Sequence, residues 1–557
     1  MDNLLTRHTA FYAVCLGAIV FGGLALASGG WWWLLALLCL ALSALGLYDL
    51  RQPHHAVRRN YPVIGNLRYF FEFIRPEIRQ YFVESDAEEL PFSRTQRSLV
   101  YQRAKRESDK RPFGTQENVY GDSYEWINHS ISPAPPSDPA TFRITVGGPD
   151  CTQPYSLSVL NISAMSFGAL SANAVRALNK GALLGEFAHD TGEGGVSLYH
   201  LEHGGDLIWN IGSGYFGCRD EAGNFSAEKF VERARLPAIK MIEIKLSQGA
   251  KPGHGGMLPG AKVTPEIAQA RGVPVWKDCN SPARHGAFST PIELMHFIQR
   301  LRELSGGKPV GFKLCVGHPW EWFAIAKAML KTGITPDFIV VDGAEGGTGA
   351  APVEFVSHVG TPLREGLRLV HNTLVGIGLR EKIRLGASGK IISAFDMARI
   401  MALGADWCNS ARAFMFAVGC IQAQACHTGK CPTGVTTQDP HRQRALVVGD
   451  KAERVANFHA STLRALSELV AAAGLNHPDQ LRPHHIARRI SSTEVRVLSG
   501  LFPDLGKGEL LEGKYRQTLF RVTWPMAQAE SFEPLYSLSA ALSGQVDAAA
   551  HEEKPAA

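Results

Sequence analysis

The sequence predicts an α/β protein: a (β/α)8 TIM barrel with an N-terminal two-helix transmembrane hairpin and a helical C-terminal extension. Short apolar runs rich in Val, Ile and Leu alternate with longer amphipathic stretches between Tyr155 and about Gln438. Such runs, interleaved with helices, indicate a parallel sheet covered on both faces. Roughly eight units over about 290 residues suit a closed barrel better than an open sheet. Two uncharged runs stand ahead of that region, and helix-patterned segments follow it. With 557 residues, 45% of them hydrophobic, the chain can bury a large core.

The N-terminal runs come first. Residues 9–28, "TAFYAVCLGAIVFGGLALAS", and 31–48, "WWWLLALLCLALSALGLY", carry no charge, and each is long enough to cross a bilayer as a helix. The glycine pair between them suits a hairpin, with Trp31, Trp32 and Trp33 at the far interface. Arg7 precedes the first run; Arg51, Arg58, Arg59 and Arg68 follow the second. The positive-inside rule then puts both ends on the cytoplasmic side. The expectation is a multi-pass anchor in the cell inner membrane with the barrel facing the cytoplasm. A signal peptide cleaved after "ALA" (25–27) is the competing reading, and the second uncharged run directly after it argues against one.

Residues 51–150 mix charged patches with short apolar pieces and end in the proline-rich connector "SPAPPSDPA" (132–140). Nothing in them points to a function. The strand-like pieces beyond are "LSVLNIS" (157–163), "DLIWNI" (206–211), "AIKMIEIKL" (238–246), "VGFKLCV" (310–316), "DFIVVDG" (337–343), "KIRLGAS" (382–388) and "DWCNSA" (406–411). Stretches such as "PIELMHFIQRLRELSG" and "AFDMARIMALGA" read as the helices between them. Residues 441–500 read as helices, and the tail from about Gly544 has no apolar period and is expected to be disordered. The predicted domains are therefore 1–50 (hairpin), 51–150 (membrane-proximal region), 151–440 (barrel) and 441–557 (helical region with tail).

Composition excludes some classes. The net charge of +5 is small for this length and unclustered, which gives no argument for nucleic acid as a partner. Ten cysteines are scattered apart from one trio, so they form no disulfide framework.

Several motifs carry chemistry. "GSGYFG" (212–217) matches G-x-G-x-x-G, but a dinucleotide site needs a helix to start in that turn. The polar "CRDEAGNFS" follows instead, so the segment reads as a glycine loop. "VVDGAEGGTGAAP" (340–352), "GASGK" (386–390) and "NSAR" (409–412) close three successive strand-like runs. Each alone is an ordinary turn; together, at late barrel strands, they suggest a phosphate cradle. Lys245 ends an apolar strand and Lys251 sits in the glycine-rich loop after it, while Lys313 has the same placement as Lys245. Surface lysines are the bland alternative. Amines pointing into a barrel mouth are costly unless they meet a negative or electron-rich ligand. Glu193 lies in the glycine turn "DTGEGG" (190–195), a weak signal by itself.

Cys420, Cys426 and Cys431 form the trio in "CIQAQACHTGKCPTG". Thiolates select zinc or iron–sulfur, and the paired C-x2-4-C spacing of structural zinc is absent. The Cys431–Pro432 step is like the end of a ferredoxin run, and three cysteines without an evident fourth suit a three-iron cluster.

Taken together, residues from about 157 to 440 resemble the FMN-binding synthase barrel of the glutamate synthase family. The matching blocks are "SAMSFGALS" (163–171), "DTGEGG", "IKLSQGAKPGHGGMLPGAKV" (244–263), "VDGAEGGTGAAP" (341–352) and "GCIQAQACHTGKCPTGVTTQDP" (419–440), in family order. The resemblance implies a barrel holding FMN with a [3Fe-4S] cluster on Cys420, Cys426 and Cys431. It assigns Lys245 to the flavin and the 2-oxo acid, with Glu193, Gln248 and Lys251 around it. It gives FMN the residues Ser166, Lys313, Asp342, Gly346, Gly347, Thr348, Ser388, Gly389, Ser410 and Arg412. Lys313 would sit near flavin N1 and C2=O, and the backbone of Gly346, Gly347, Ser388 and Gly389 would hold the phosphate.

Departures from the family pattern shape the functional expectation. The full enzymes begin with a glutaminase domain whose nucleophile is an N-terminal cysteine, whereas residue 2 here is Asp. Ammonia is then expected from outside this chain. Without a nicotinamide fingerprint, electrons are expected from an external donor: a ferredoxin-like protein, a reductase subunit or the membrane pool. "NSPARHGAF" (280–288) departs from the family's usual "SPPPHHD" and puts the acceptor in question. The expected reaction is reduction of 2-iminoglutarate, from 2-oxoglutarate and ammonia, to glutamate. An amine or N-methyl amino acid dehydrogenase feeding the membrane pool is the alternative enzyme, and a redox sensor or assembly partner the non-enzymatic one.

Overall fold

The structure, a computed structural model, describes residues 2–86 and 90–542, with backbone alone for residues 2–6. The tail expected to be disordered from Gly544 lies outside the described residues. The chain forms two compact units, Met1–Arg94 and Thr95–Ala557.

The first unit is built on two apolar helices, α1 (Asp2–Ser28) and α2 (Trp32–Arg51). Arg7–Ser28 and Trp32–Arg51, 22 and 20 residues, are long and apolar enough to cross a membrane. Gly29 and Gly30 join them with φ of +63° and +68°, a left-handed turn that glycine makes at little cost. The helices pack closely because Gly46 offers no side chain where the Phe11 ring lies. A short helix, Ala56–Asn60, and a longer one, Gly65–Ile78, complete this unit with the π-turn Arg79–Val83.

The second unit contains a closed barrel of eight parallel strands: β1 (Leu160–Ile162), β2 (His189–Asp190), β3 (Leu207–Ile211), β4 (Ile239–Lys245), β5 (Val310–Leu314), β6 (Phe338–Asp342), β7 (Arg384–Ser388) and β8 (Trp407–Ser410). Each pairs with its sequence neighbours, and β8 closes on β1. This is the predicted (β/α)8 fold. Its lower interior is apolar, with Ile208, Met241, Phe338, Val340 and Trp407 packed together and almost wholly buried. Its upper interior is polar and carries the site.

One expected strand is two. "LSVLNIS" splits at Val159. Tyr155–Ser158 pairs antiparallel with Arg143–Val146, and only Leu160–Ile162 enters the barrel. The hairpin inserts Val146 and Leu157 into the lower core and so plugs the barrel floor. Asp337, one residue before β6, ties that plug down. Its carboxylate accepts from Gly148 N at 2.6 Å, Val310 N at 2.8 Å and Arg302 Nε at 3.1 Å.

The C-terminal region is only partly helical. Helix Val448–Ala472 packs on Ala172–Leu184, where a methyl on Gly181 would lie 2.5 Å from Val455. Residues Ile486–Arg489 and Val495–Val497, expected within helices, are instead antiparallel strands beside Glu125–Ile127. Pairing with a segment more than 350 residues away supplies hydrogen bonds that no local pattern announces. Glu125 secures this sheet to the barrel helices by ion pairs to Arg364 at 2.7 Å and Arg399 at 2.8 Å.

Arg302 is buried, so removing its carboxylate partner leaves an uncompensated charge. Asp337→Ala is expected to destabilise the second unit by ~3–5 kcal/mol, read as a drop in the urea midpoint.

Candidate active site at the barrel mouth

The mouth is assembled from strand ends and the loops beyond them. Lys245, the last residue of β4, stands in register with Lys313 of β5, so both amines point into the barrel at one level. They have different partners. Lys245 Nζ donates to Glu193 Oε2 at 2.8 Å, and Lys313 Nζ lies 3.0 Å from Glu243 Oε1.

Glu193 is held close to Lys245 by its glycine turn. Gly192 has φ of +64°, and a methyl there would sit 2.6 Å from Ser166 N, so only glycine lets this turn press against the β1 loop. Burial works against the Glu193 charge, but Lys245, Lys251 and Arg271 outweigh it and pull its pKa down to about 2. A depressed carboxylate pKa stabilises the fold above the ordinary range, and that contribution is lost as pH falls through about 2. Lys251 is buried beside them, and burial lowers its pKa. Gln248 is half-buried on the same loop.

Beneath lies an ionic layer that spacing did not reveal. Glu243 Oε1 also accepts from Asn210 Nδ2, while Glu243 Oε2 has no protein donor among the described residues. Asp190 is buried beside it, and burial followed by the Glu243 charge raises its pKa well above the carboxylate range. Burial opposes the Lys313 charge, but Glu243, Asp190 and Asp342 overcome this and raise its pKa. The demand of that amine for a negative partner is thus met first by the protein itself.

The residues expected to hold FMN gather on the other side of the mouth. Asp342 accepts from Gly249 N at 2.8 Å, and Ser388 Oγ lies 3.3 Å from Ser163 Oγ. A methyl on Gly249 would sit 1.9 Å from Gly343 O, so this close approach of two loops requires glycine. Arg412 donates to Glu345 O at 2.6 Å and runs alongside Gly347, with its pKa lowered by burial to about 10. Gly346 thus lies against Asp342, Gly347 against Arg412, and Gly389 against Glu345. Two expected ligands are engaged elsewhere: Ser410 Oγ donates to Ile391 O at 2.6 Å, and Thr348 Oγ1 to Ala350 O at 3.2 Å.

Three features of the mouth went unread in the sequence. His285 closes the wall beside Lys245: Nε2 lies 2.9 Å from Lys245 O and Nδ1 3.1 Å from Tyr215 Oη. Burial brings the His285 pKa down to about 4, so the ring is neutral. The altered segment 280–288 is therefore part of the site. So is "GSGYFG", where Gly212 faces Glu193; the next helix begins only at Ala227 behind an N-cap at Ser226. Arg271, at the end of helix Pro265–Arg271, donates to Phe167 O and faces the Phe216 ring. The glycine spacing of 212–217 and the departure at 280–288 stood out in the sequence, but neither marked Tyr215 or His285, and nothing marked Arg271.

The cysteine loop follows helix Arg412–Ala417. Cys431 is buried; burial opposes its ionisation, yet bonds from Thr433 and Thr436 draw its pKa down to about 7. Burial pushes Cys420 up to about 12. Among the described residues no three ligands surround a single point as a mononuclear metal requires. The charges of Cys426 and Cys431 add to burial in raising Cys420, so the three thiols are neighbours. The loop is clasped from both sides: Tyr101 Oη donates to Cys420 O at 2.6 Å, and Lys262 Nζ to Cys426 O at 2.9 Å.

Comparison with known proteins agrees with this geometry. Residues 150–476 match the profile of the conserved region in glutamate synthase. The chain belongs to the glutamate synthase family of oxidoreductases. It is 40% identical over 481 residues to the glutamate synthase large subunit-like protein YerD of Bacillus subtilis, covering 79% of this chain and 91% of that one. A glutamate synthase large subunit-like protein of Rhizobium meliloti is 30% identical over 68% of this chain and 86% of its own. The archaeal glutamate synthase [NADPH] of Methanocaldococcus jannaschii is 37% identical, covering 60% of this chain and 64% of its own.

The protonation pattern is testable. Because burial and the Glu243 charge raise the folded-state pKa of Asp190, it costs stability as pH rises above the ordinary Asp range. Asp190→Asn is expected to keep or raise the urea midpoint at pH 7. Glu243→Gln, which strips Lys313 of its counter-charge, should lose ~3–5 kcal/mol. The reverse ranking would place the charge on Asp190.

Proposed function

We propose that this family member is a membrane-anchored FMN and [3Fe-4S] oxidoreductase that reduces 2-iminoglutarate to glutamate. The observation that carries the reading is the Lys245–Glu193–Lys251 group at the barrel mouth. The likeness to proteins named glutamate synthases supports the same substrate. In balance, 2-oxoglutarate, ammonia, two electrons and two protons give glutamate and water.

FMN, when bound, would supply hydride chemistry. The Gly346, Gly347, Ser388 and Gly389 backbone and the Arg412 guanidinium would hold its phosphate, and Lys313 would lie on the flavin side. Lys245 and Lys251 bind and orient the substrate carboxylates, the kind of positioning that lowers a barrier without new bonds. Glu193 fixes Lys245 and stays ionised, so it does not serve as the acid. Lys251, whose ammonium burial disfavours, is the ready source of the proton that the new amine takes up. Cys420, Cys426 and Cys431 hold the cluster, with Lys262 and Arg97 offsetting its negative charge. Electrons come from an external donor. Helices α1 and α2 anchor the chain as a hairpin with both ends on one side of the membrane.

A second reading, oxidation of an amine or N-methyl amino acid, draws on segment 280–288. His285 and Ser281 place that segment directly against the Lys245 and Gly256 backbones.

The deciding experiment photoreduces the detergent-solubilised protein without oxygen and adds 2-oxoglutarate with ammonium. Flavin reoxidation with stoichiometric glutamate is expected. A stable reduced flavin, together with bleaching of the oxidised protein by amines, would favour the second reading. Lys245→Ala is expected to retain FMN while turnover falls at least about 10²-fold. Retained turnover would remove Lys245 from the reaction.

A further inference from the structure

We infer that the helix Gly65–Ile78, with the π-turn that follows, is a membrane-surface element that lies on an anionic lipid headgroup layer. The inference rests on the proposed membrane hairpin and assigns a role to a segment whose sequence suggested none.

The two faces of this helix are chemically distinct. Leu67, Phe70, Phe71, Ile74 and Ile78 recur at i, i+3 and i+4 spacing and form one stripe. Arg68, Glu72, Arg75 and Arg79 fall on the neighbouring face, where Arg68 pairs with Glu72 at 2.9 Å. In a water-soluble unit the apolar stripe would be buried. Here Phe70 and Phe71 are 54% and 57% exposed, and Phe82 in the π-turn is 85% exposed. An aromatic and leucine stripe flanked by arginines is the composition of a helix lying in a bilayer interface.

The position of the helix is what selects lipid over a protein partner. Asp49, in the last turn of α2, is completely buried. Its Oδ2 accepts from Val63 N at 3.0 Å and from Asn66 Nδ2 at 2.6 Å. Gln52 Nε2 donates to Asp49 O and His55 O, which folds the intervening chain back on itself. Gly65 begins the helix against the Val57 and Arg58 backbone, where a methyl would come within 3.1 Å. The helix therefore starts at the level where α2 ends, and the chain is latched rather than extended. If α2 spans the bilayer, its end marks the headgroup layer, the first turn of the helix stands at that depth, and the inference lays the exposed phenylalanines along it. Arg58, Arg59, Arg68, Arg75 and Arg79 then meet the phosphates. Anionic lipid adds attraction that phosphatidylcholine lacks.

The test uses the full-length protein in nanodiscs of phosphatidylcholine, with and without phosphatidylglycerol. A keto amino acid introduced in turn at the positions of Phe71, Phe82, Arg75 and Leu37 is coupled to a nitroxide, which spares the native cysteines. Dissolved oxygen reports lipid, and a water-soluble nickel chelate reports solvent. Oxygen is expected to relax the labels at 71 and 82 several-fold more than at 75, with the nickel ranking reversed and the contrast greater with phosphatidylglycerol. Nickel access at 71 and 82 equal to that at 75 would overturn the inference. So would labels at 71 and 82 reached by neither relaxant, which would mean that protein covers the stripe. The label at 37 separates the two ideas: nickel access there would remove the membrane hairpin itself, and this inference with it.

Discussion

A buried positive charge organises the barrel interior. Lys313 cannot stay ionised at that depth without a partner, and Glu243, two residues below the end of β4, provides it at 3.0 Å. The pair forces the surrounding chemistry. Asn210 turns its amide toward Glu243, and burial together with the Glu243 charge raises the pKa of Asp190 beside it. Below this layer the barrel is apolar, and above it the chain can present Lys245 and Glu193 with their geometry already set.

The mouth shows how close packing becomes chemistry. Glycine at 192 and 249 lets loops approach to distances that any side chain would forbid, which brings Glu193 beside Lys245 and Asp342 onto the Gly249 amide. Lys245 is matched by Glu193, and Lys251 is buried beside that pair. On the cysteine side, Tyr101 and Lys262 grip backbone carbonyls rather than sulfurs, so they shape the loop without occupying its ligands.

Much of this was legible in the sequence, for identifiable reasons. Alternating apolar runs and amphipathic helices signalled the barrel, because a strand buried on both faces has little freedom in composition. The glycine loops at the ends of β6 and β7 and the lysines at the ends of β4 and β5 were visible as residues out of keeping with their surroundings. What escaped had no such contrast. The split of residues 157–163 is invisible because both halves are apolar strands, and only the plug hairpin distinguishes them. His285, Tyr215 and Arg271 stand in unremarkable phrases and become neighbours of the site only through folding. The strand at 486–489 read as helix because one partner, 125–127, lies far away in the chain, and 495–497 pairs in turn with 487–489.

The sequence by itself determined the fold class, the polar strand ends and the cysteine trio, since burial and chain geometry constrain which residue types can stand there. Tertiary structure alone decided which groups face each other: Glu243 against Lys313, Asp190 beside Glu243, and the latch of Asp49 on the next helix. The reason is physical. Periodicity reports which face of a strand or helix is buried, whereas pairing between charges depends on distances of a few ångströms across elements that only folding brings together.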